Sequence, residues 1–135
     1  MQLRFPDVDV HYLAADFTRP LDLPPLDGVV IANALHFERH KDALVRLMHS
    51  YLRPGGRLIL VEYNTDRGNI AVPHPLSYAA WETLARRVGF DETRLLATRP
   101  SRFLGQIYSA LSATRLGDQP AGSRLLGFAR QPPAK

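Results

Sequence analysis

A chain of 135 residues, 45% of them hydrophobic, is long enough for one domain with a modest core and too short for two independent ones. The lack of cysteine excludes disulfides and thiolate metal sites; no apolar run reaches membrane-spanning length, and Met1-Gln2-Leu3-Arg4-Phe5-Pro6 has no signal-peptide pattern, so a soluble, cytoplasmic protein is expected. The net charge of +4 comes from 17 basic and 13 acidic side chains. Arg86, Arg87, Arg94, Arg99 and Arg102 can form a basic face toward RNA or an anionic substrate, but they are spread without a block, so a solvated surface is the expectation and nucleic acid is not.

Val8, Val10, Tyr12 and Ala14 alternate with Asp9, His11 and Leu13, which predicts a strand over 8–15 that stops at Asp16. Pro20, Pro24 and Pro25 make 18–28 a loop, and Asp27-Gly28 turns into a buried strand at 29–32. From Arg39 to Leu52, apolar residues at Ala43, Leu44, Leu47, Met48, Tyr51 and Leu52 recur at helical spacing, the mark of a helix laid on a sheet. Pro54-Gly55-Gly56 ends that helix, because proline lacks the N–H and glycine takes a left-handed conformation cheaply. The apolar run 58–61 then reads as a central strand that finishes on Glu62.

Residues 64–76, rich in Asn, Gly and Pro, form the next loop. Ser77 is the N-cap of a second helix that turns Ala80, Trp81, Leu84, Ala85 and Val88 inward, with Gly89 just past its end; Trp81 reads as core. Two further strands are predicted at 90–98, stopped by Pro100, and at 105–113. From Thr114 onward Gly, Asp, Pro, Gln and Ala dominate, broken only by Leu125-Leu126-Gly127-Phe128. The expected organisation is one domain over 1–113 and a flexible tail over 114–135.

The unit Leu52-Arg53-Pro54-Gly55-Gly56, followed by Leu58 to Glu62, resembles the turn and fifth strand of class I S-adenosylmethionine-dependent methyltransferases. Val8 to Phe17 is similar to that family's third strand with its terminal acidic residue, and Leu26 to Phe37 to its fourth strand and the loop beyond. The resemblance covers about residues 4–113 and implies a truncated Rossmann-like sheet of about five strands, the last antiparallel, with two main helices. The family's glycine-rich first strand and acidic second-strand end have no counterpart before the 8–15 segment. In full-length relatives the first strand lies beside the fourth, so the segment 8–15 is expected to move in next to 29–32.

Ligands of open α/β sheets sit beyond the carboxyl ends of the strands, which gathers Asp16, Asn33 to His36, and Glu62 to Asn64 at one edge. The resemblance implies S-adenosylmethionine binding by Asp16 toward the adenine amine, Phe17 beside the ring, and Asn33, Ala34 and Leu35 under the methionine part. Asp16 can instead cap the turn to Thr18. His36 is the histidine at this edge, a candidate general base toward a hydroxyl or amine, or else a residue that positions the start of the helix. His36 and His40 flank Glu38, but His36 precedes the helix, so no metal site is assigned. Glu62, Asn64, Arg67 and His74 are the candidate substrate contacts, the last two toward an acidic group; their loop is also a plausible plain connection.

Methyl transfer to an unknown small-molecule or macromolecular acceptor is therefore the family activity, weak or absent in the isolated chain. A complementing chain is one way to restore it. The alternative is a non-catalytic interaction or dimerisation module, since an unpaired sheet edge invites another chain or a second copy.

Overall fold

The computed structural model of the chain describes residues 7–116 and 125–129. In chain order the elements are β1 (Leu26–Ala32), a single 3-10 turn (Leu35–Phe37), α1 (Asp42–Ser50), β2 (Leu52–Tyr63), α2 (Tyr78–Val88), β3 (Glu92–Pro100), β4 (Gln106–Ala113) and β5 (Leu125–Ala129). The strands form one sheet in the order β3-β4-β2-β1-β5. β1 runs parallel to both β2 and β5, while β4 runs antiparallel between β2 and β3. This is the expected five-stranded α/β sheet with two helices, but its fifth member is not the one expected.

Both helices form where the apolar spacing predicts them, although in the first Ala43 is exposed and Val45, outside the face read from the sequence, is buried. α1 buries Leu44, Val45 and Met48, and α2 buries Trp81, Leu84, Ala85 and Val88. The Ser77 hydroxyl accepts from the Ala80 N–H at 3.2 Å, relieving one of the donors left over at the start of α2. Period-two alternation in the strands then sends Val29, Ile31, Leu58, Leu60, Tyr108 and Ala110 into the same core as the two helices. Each such large side chain contributes about 1.5–3 kcal/mol on leaving water. The other face of the sheet carries half-buried Val30, Ile59, Val61 and Leu111, outside that core.

The Pro54-Gly55-Gly56 unit does not end the helix as expected: α1 stops at Ser50, Tyr51 caps it, and the unit lies inside β2. Leu26 pairs with Leu52 and Gly28 with Arg57, so two steps along β1 face five along β2 and the intervening residues bow out of the ladder. Gly55 has φ of 78°, a conformation costly for a side chain, and its N–H donates to the Arg115 carbonyl at 2.7 Å. The Thr114 N–H in turn donates to the Gly56 carbonyl at 2.9 Å. The bow is thus stapled to the residues that follow β4.

Two expectations about the chain's ends are corrected. The segment 8–15 forms no strand: Val8 is 53% exposed and Tyr12 73%. Its alternating pattern suits a strand, but the outer edge of β1, where it was expected to pair, is taken by β5. Leu125–Ala129, inside the stretch expected as a flexible tail, pairs with Gly28 to Ala32 over five residues. Leu126 and Phe128 pack on the core, and the Phe128 ring meets Phe17 at 5.3 Å. The gain is satisfaction of β1's outer backbone groups, which an apolar strand cannot leave bare cheaply.

Candidate active site

Parallel register levels the ends of β1 and β2, with Ala32 opposite Val61. The chain then leaves β1 through Asn33, whose φ of 53° turns it sharply and whose N–H donates to the Val61 carbonyl at 3.0 Å. Ala34 and Leu35 drop into the core, and the 3-10 turn carries His36 over the last turn of β2. There it meets Glu62. His36 Nδ1 lies 2.7 Å from Glu62 Oε1, and the His36 backbone N–H donates to Glu62 Oε2 at 3.1 Å. The Tyr63 N–H donates to Oε1 at 3.0 Å.

The pair is deeply buried, with Glu62 at 0% and His36 at 3% exposure. A carboxylate already receiving two backbone donors has only acceptor sites to offer the imidazole, so Nδ1 carries a hydrogen and donates. In the neutral ring Nε2 is then the nitrogen with the lone pair, and it has no hydrogen-bond partner among the described residues. The ring is held from its sides by Phe37, with centroids 4.3 Å apart, and by the edge of Tyr63 at 5.7 Å. The arrangement is a nitrogen base whose orientation and tautomer are both fixed from behind.

Sequence reasoning missed two groups around this pair. Tyr108 lies opposite Glu62 in the β2–β4 ladder and donates its hydroxyl to the Leu76 carbonyl at 2.9 Å. Burial first, and the Glu62 charge second, hold its phenol well above the ordinary range, so it stays a neutral donor. Lys41 donates to the Glu38 carbonyl at 2.6 Å; burial lowers its ammonium from the usual lysine value, against the pull of Glu62 and Glu38. The strand alternation of β4 was the available signal for Tyr108; nothing local marks Lys41.

The candidate substrate contacts separate in the structure. Glu62 sits behind His36 rather than on the surface. Asn64 is spent on architecture: its Nδ2 donates to Gln106 Oε1 at 2.9 Å and its Oδ1 accepts from the Tyr78 N–H at 2.9 Å. Arg67 is exposed on the loop, and half-buried His74 donates its backbone N–H to the His36 carbonyl at 2.9 Å. That bond ties the 64–76 loop directly to the His36 turn. Asp66 closes the loop by accepting from the Ser77 N–H and hydroxyl at 2.8 and 3.0 Å.

The candidate cofactor contacts are only partly assembled. Asn33 Oδ1 is buried and has no partner among the described residues, an acceptor available to an ammonium group, whereas Ala34 and Leu35 are buried at 1% exposure and can offer backbone alone. Asp16 is half-exposed and accepts from the Thr18 N–H and hydroxyl at 3.0 and 2.6 Å, the turn-capping arrangement. Two open clefts of about 540 Å³ and one of about 390 Å³ are lined by other residues, Tyr51 and Pro54, Lys41 and Arg87, and His49 and Leu116 among them. The residues present fit one end of the cofactor and not its whole length.

Solved structures settle the fold. A possible histamine N-methyltransferase from Thermotoga maritima superposes with a TM-score of 0.62 at 13% identity, over 78% of this chain and 65% of that one. The CMeT domain of the citrinin polyketide synthase gives 0.56 at 19% identity, over 75% of this chain and 32% of the other. The N-methyltransferase NodS from Bradyrhizobium japonicum, solved with S-adenosylhomocysteine, gives 0.55 at 13% identity, over 76% and 53%. This is the fold of the class I S-adenosylmethionine-dependent methyltransferases. The chain spans less than two thirds of each of these three structures. No protein-family model and no curated protein sequence matches it. Within the methyltransferase fold, β5 occupies the seat beside β1 that the resemblance assigns to the glycine-rich first strand. No helix among the described residues is long and apolar enough to cross a membrane.

Proposed function

We propose that the chain is the acceptor-side half of an S-adenosylmethionine-dependent methyltransferase, with His36 as general base and Glu62 as the residue that positions it. The observation that carries this reading is the buried His36–Glu62 pair at the carboxyl edge of a methyltransferase sheet. The cofactor, when bound, supplies an electrophilic methyl group. His36 Nε2 takes the proton from an acceptor hydroxyl, amine or acidic carbon as that atom attacks, and Glu62 stabilises the imidazolium so formed. Phe37 and Tyr63 keep water from the ring. Asn33 Oδ1 receives the cofactor's ammonium group.

The remaining cofactor contacts come from a complementing chain, and the isolated chain is weak or inactive in methyl transfer. Support for complementation is the half-buried sheet face of Val30, Ile59, Val61 and Leu111, on which neither α1 nor α2 packs, since strands as continuously apolar as β1 and β2 belong between two layers. That same face also supports the alternative of an interaction module. The lack of cysteine suits a reducing cytoplasm.

Titration with S-adenosylhomocysteine, followed by calorimetry and by amide NMR, tests the proposal. Expected are no micromolar heat of binding and shifts at Asn33 to His36 only at high ligand concentration. Micromolar binding by the isolated chain overturns the half-site assignment, and shifts confined to other residues overturn the cofactor reading.

A further inference from the structure

The sheet edge that carries His36 also carries a patch with no role in the chemistry above. Between Thr93 and Leu116 the sequence holds four arginines and no carboxylate. Arg115 pairs with Asp91, but exposed Arg99 and Arg102 have no acidic partner among the described residues. Arg67 on the neighbouring loop is likewise exposed and unpaired. Two hydrophobic tips accompany them: Ile70 is 101% exposed and Phe103 is 74% exposed.

Backbone and side-chain bonds place these segments side by side. The turn after β3 closes through Ser101 N–H to the Gly105 carbonyl at 2.8 Å, and the loop after β2 starts where that turn ends, Asn64 N–H donating to the Gln106 carbonyl at 2.7 Å. Arg99 pairs across the ladder with Ile107, and Ile107 with Tyr63, so one row runs from Arg99 to the ring beside His36. Two strand spacings make that row about 10 Å long. The only acid in the 64–76 loop, Asp66, is engaged by Ser77.

We propose that Arg67, Arg99 and Arg102 with Ile70 and Phe103 form a docking surface for an acidic protein segment, seated beside the His36 edge. Charge complementarity selects the partner: three unpaired guanidiniums repel a second copy of this chain and attract carboxylates. Their separation on two loops and a strand end suits a carboxylate-bearing helix or loop whose apolar side chain meets Phe103. Neither the base nor the cofactor takes part, so the surface stands or falls independently of methyl transfer.

The test measures binding of the full chain to a short amphipathic peptide of glutamate and leucine, to a single-stranded RNA, and to phosphatidylglycerol-containing vesicles, across a salt series. Expected is salt-dependent peptide binding weakened about tenfold or more by Arg99→Glu with Arg102→Glu, the loss expected when attraction becomes repulsion. The charge-matched pair Arg46→Glu with Arg86→Glu, exposed on α1 and α2, leaves binding unchanged, and Phe103→Ser weakens the component that survives high salt. Peptide binding that is absent, or equally weakened by both arginine pairs, overturns the proposal. Tighter binding of RNA or vesicles with the same dependence on Arg99 and Arg102 also overturns it, in favour of that partner. Because every substituted side chain is exposed, circular dichroism melts of the variants should match the parent.

Discussion

Replacing Glu62 with alanine removes the acceptor from three donors at once: the His36 N–H, the His36 Nδ1–H and the Tyr63 N–H. The first two bonds are buried, and a buried donor left without a partner costs about 1–3 kcal/mol. Breaking one side of a buried pair costs about 3–5 kcal/mol in general, which agrees with two such donors and leaves room for the cavity. An unfolding entropy of about 2.1 cal/mol/K per residue makes each kcal/mol worth about 3–4 °C for a chain of this size. The predicted loss in melting temperature is therefore about 10–18 °C, against a total stability of about 5–15 kcal/mol. Urea unfolding and thermal melts followed by circular dichroism read it directly. Glu62→Gln keeps one carbonyl acceptor and should fall between the parent and Glu62→Ala. The double replacement His36→Phe with Glu62→Leu should recover only part of the loss, since it removes the imidazole donor but leaves the backbone N–H groups of residues 36 and 63 without their acceptor. A Glu62→Ala protein melting within a few degrees of the parent would show that the pair is not closed in solution, and the argument for a fixed tautomer would go with it.

Other perturbations probe the scaffold. Tyr108→Phe should cost about 1 kcal/mol through the lost bond to the Leu76 carbonyl, measured by urea unfolding. Phe128→Ala should cost about 2 kcal/mol, less than a fully buried phenylalanine, and should speed hydrogen exchange in β1 while leaving α1 unchanged. Gly55→Val should destabilise by about 1–2 kcal/mol, because a left-handed residue gains a side chain whose first carbon meets Leu116 at 2.9 Å. Asp42 has its carboxyl held below the ordinary value, first by its hydrogen bond from Arg87, so its contribution is present above the unfolded value and is lost as pH falls through the folded one. Both partners are about half exposed, which keeps that contribution small; Asp42→Asn should flatten the acid limb of the stability profile, most visibly at low salt.

Much of this fold is written in periodicity. α1, α2 and β2 follow from apolar spacing, and Ser77 announces its helix because a hydroxyl at that place has one productive use. β5 was invisible for a physical reason: five residues containing Gly127 have too short a pattern to separate a strand from a stray apolar cluster. Segment 8–15 shows the reverse, since alternation reports that a strand would be tolerated and says nothing about whether a neighbour is present to bond it. At the site, the common edge of Asn33, His36 and Glu62 was legible from strand ends alone. The role of Glu62 was not, because which face a strand's last residue turns to, and how deep it lies, depend on β4 and the turn of His36 closing over it.

The position of the His36–Glu62 pair relative to the core bears on what the chain can do by itself. Every group that fixes the imidazole comes from β1, β2, the 3-10 turn or the loop after β2, and the pair is walled by Tyr108 of β4. These are the elements that share the buried core with α1 and α2. None of the polar contacts to His36 or Glu62 reaches β5 or the segment before β1. The pair therefore draws its geometry from the elements of the buried core, independently of β5. The residues proposed to meet the cofactor differ in kind: Asp16 and Phe17 lie on a segment without strand pairing, and the Phe17 ring meets Phe128. On the proposed function, an order of assembly follows from that difference, in which the His36–Glu62 pair is preformed and the segment of Asp16 and Phe17 is the part that rearranges.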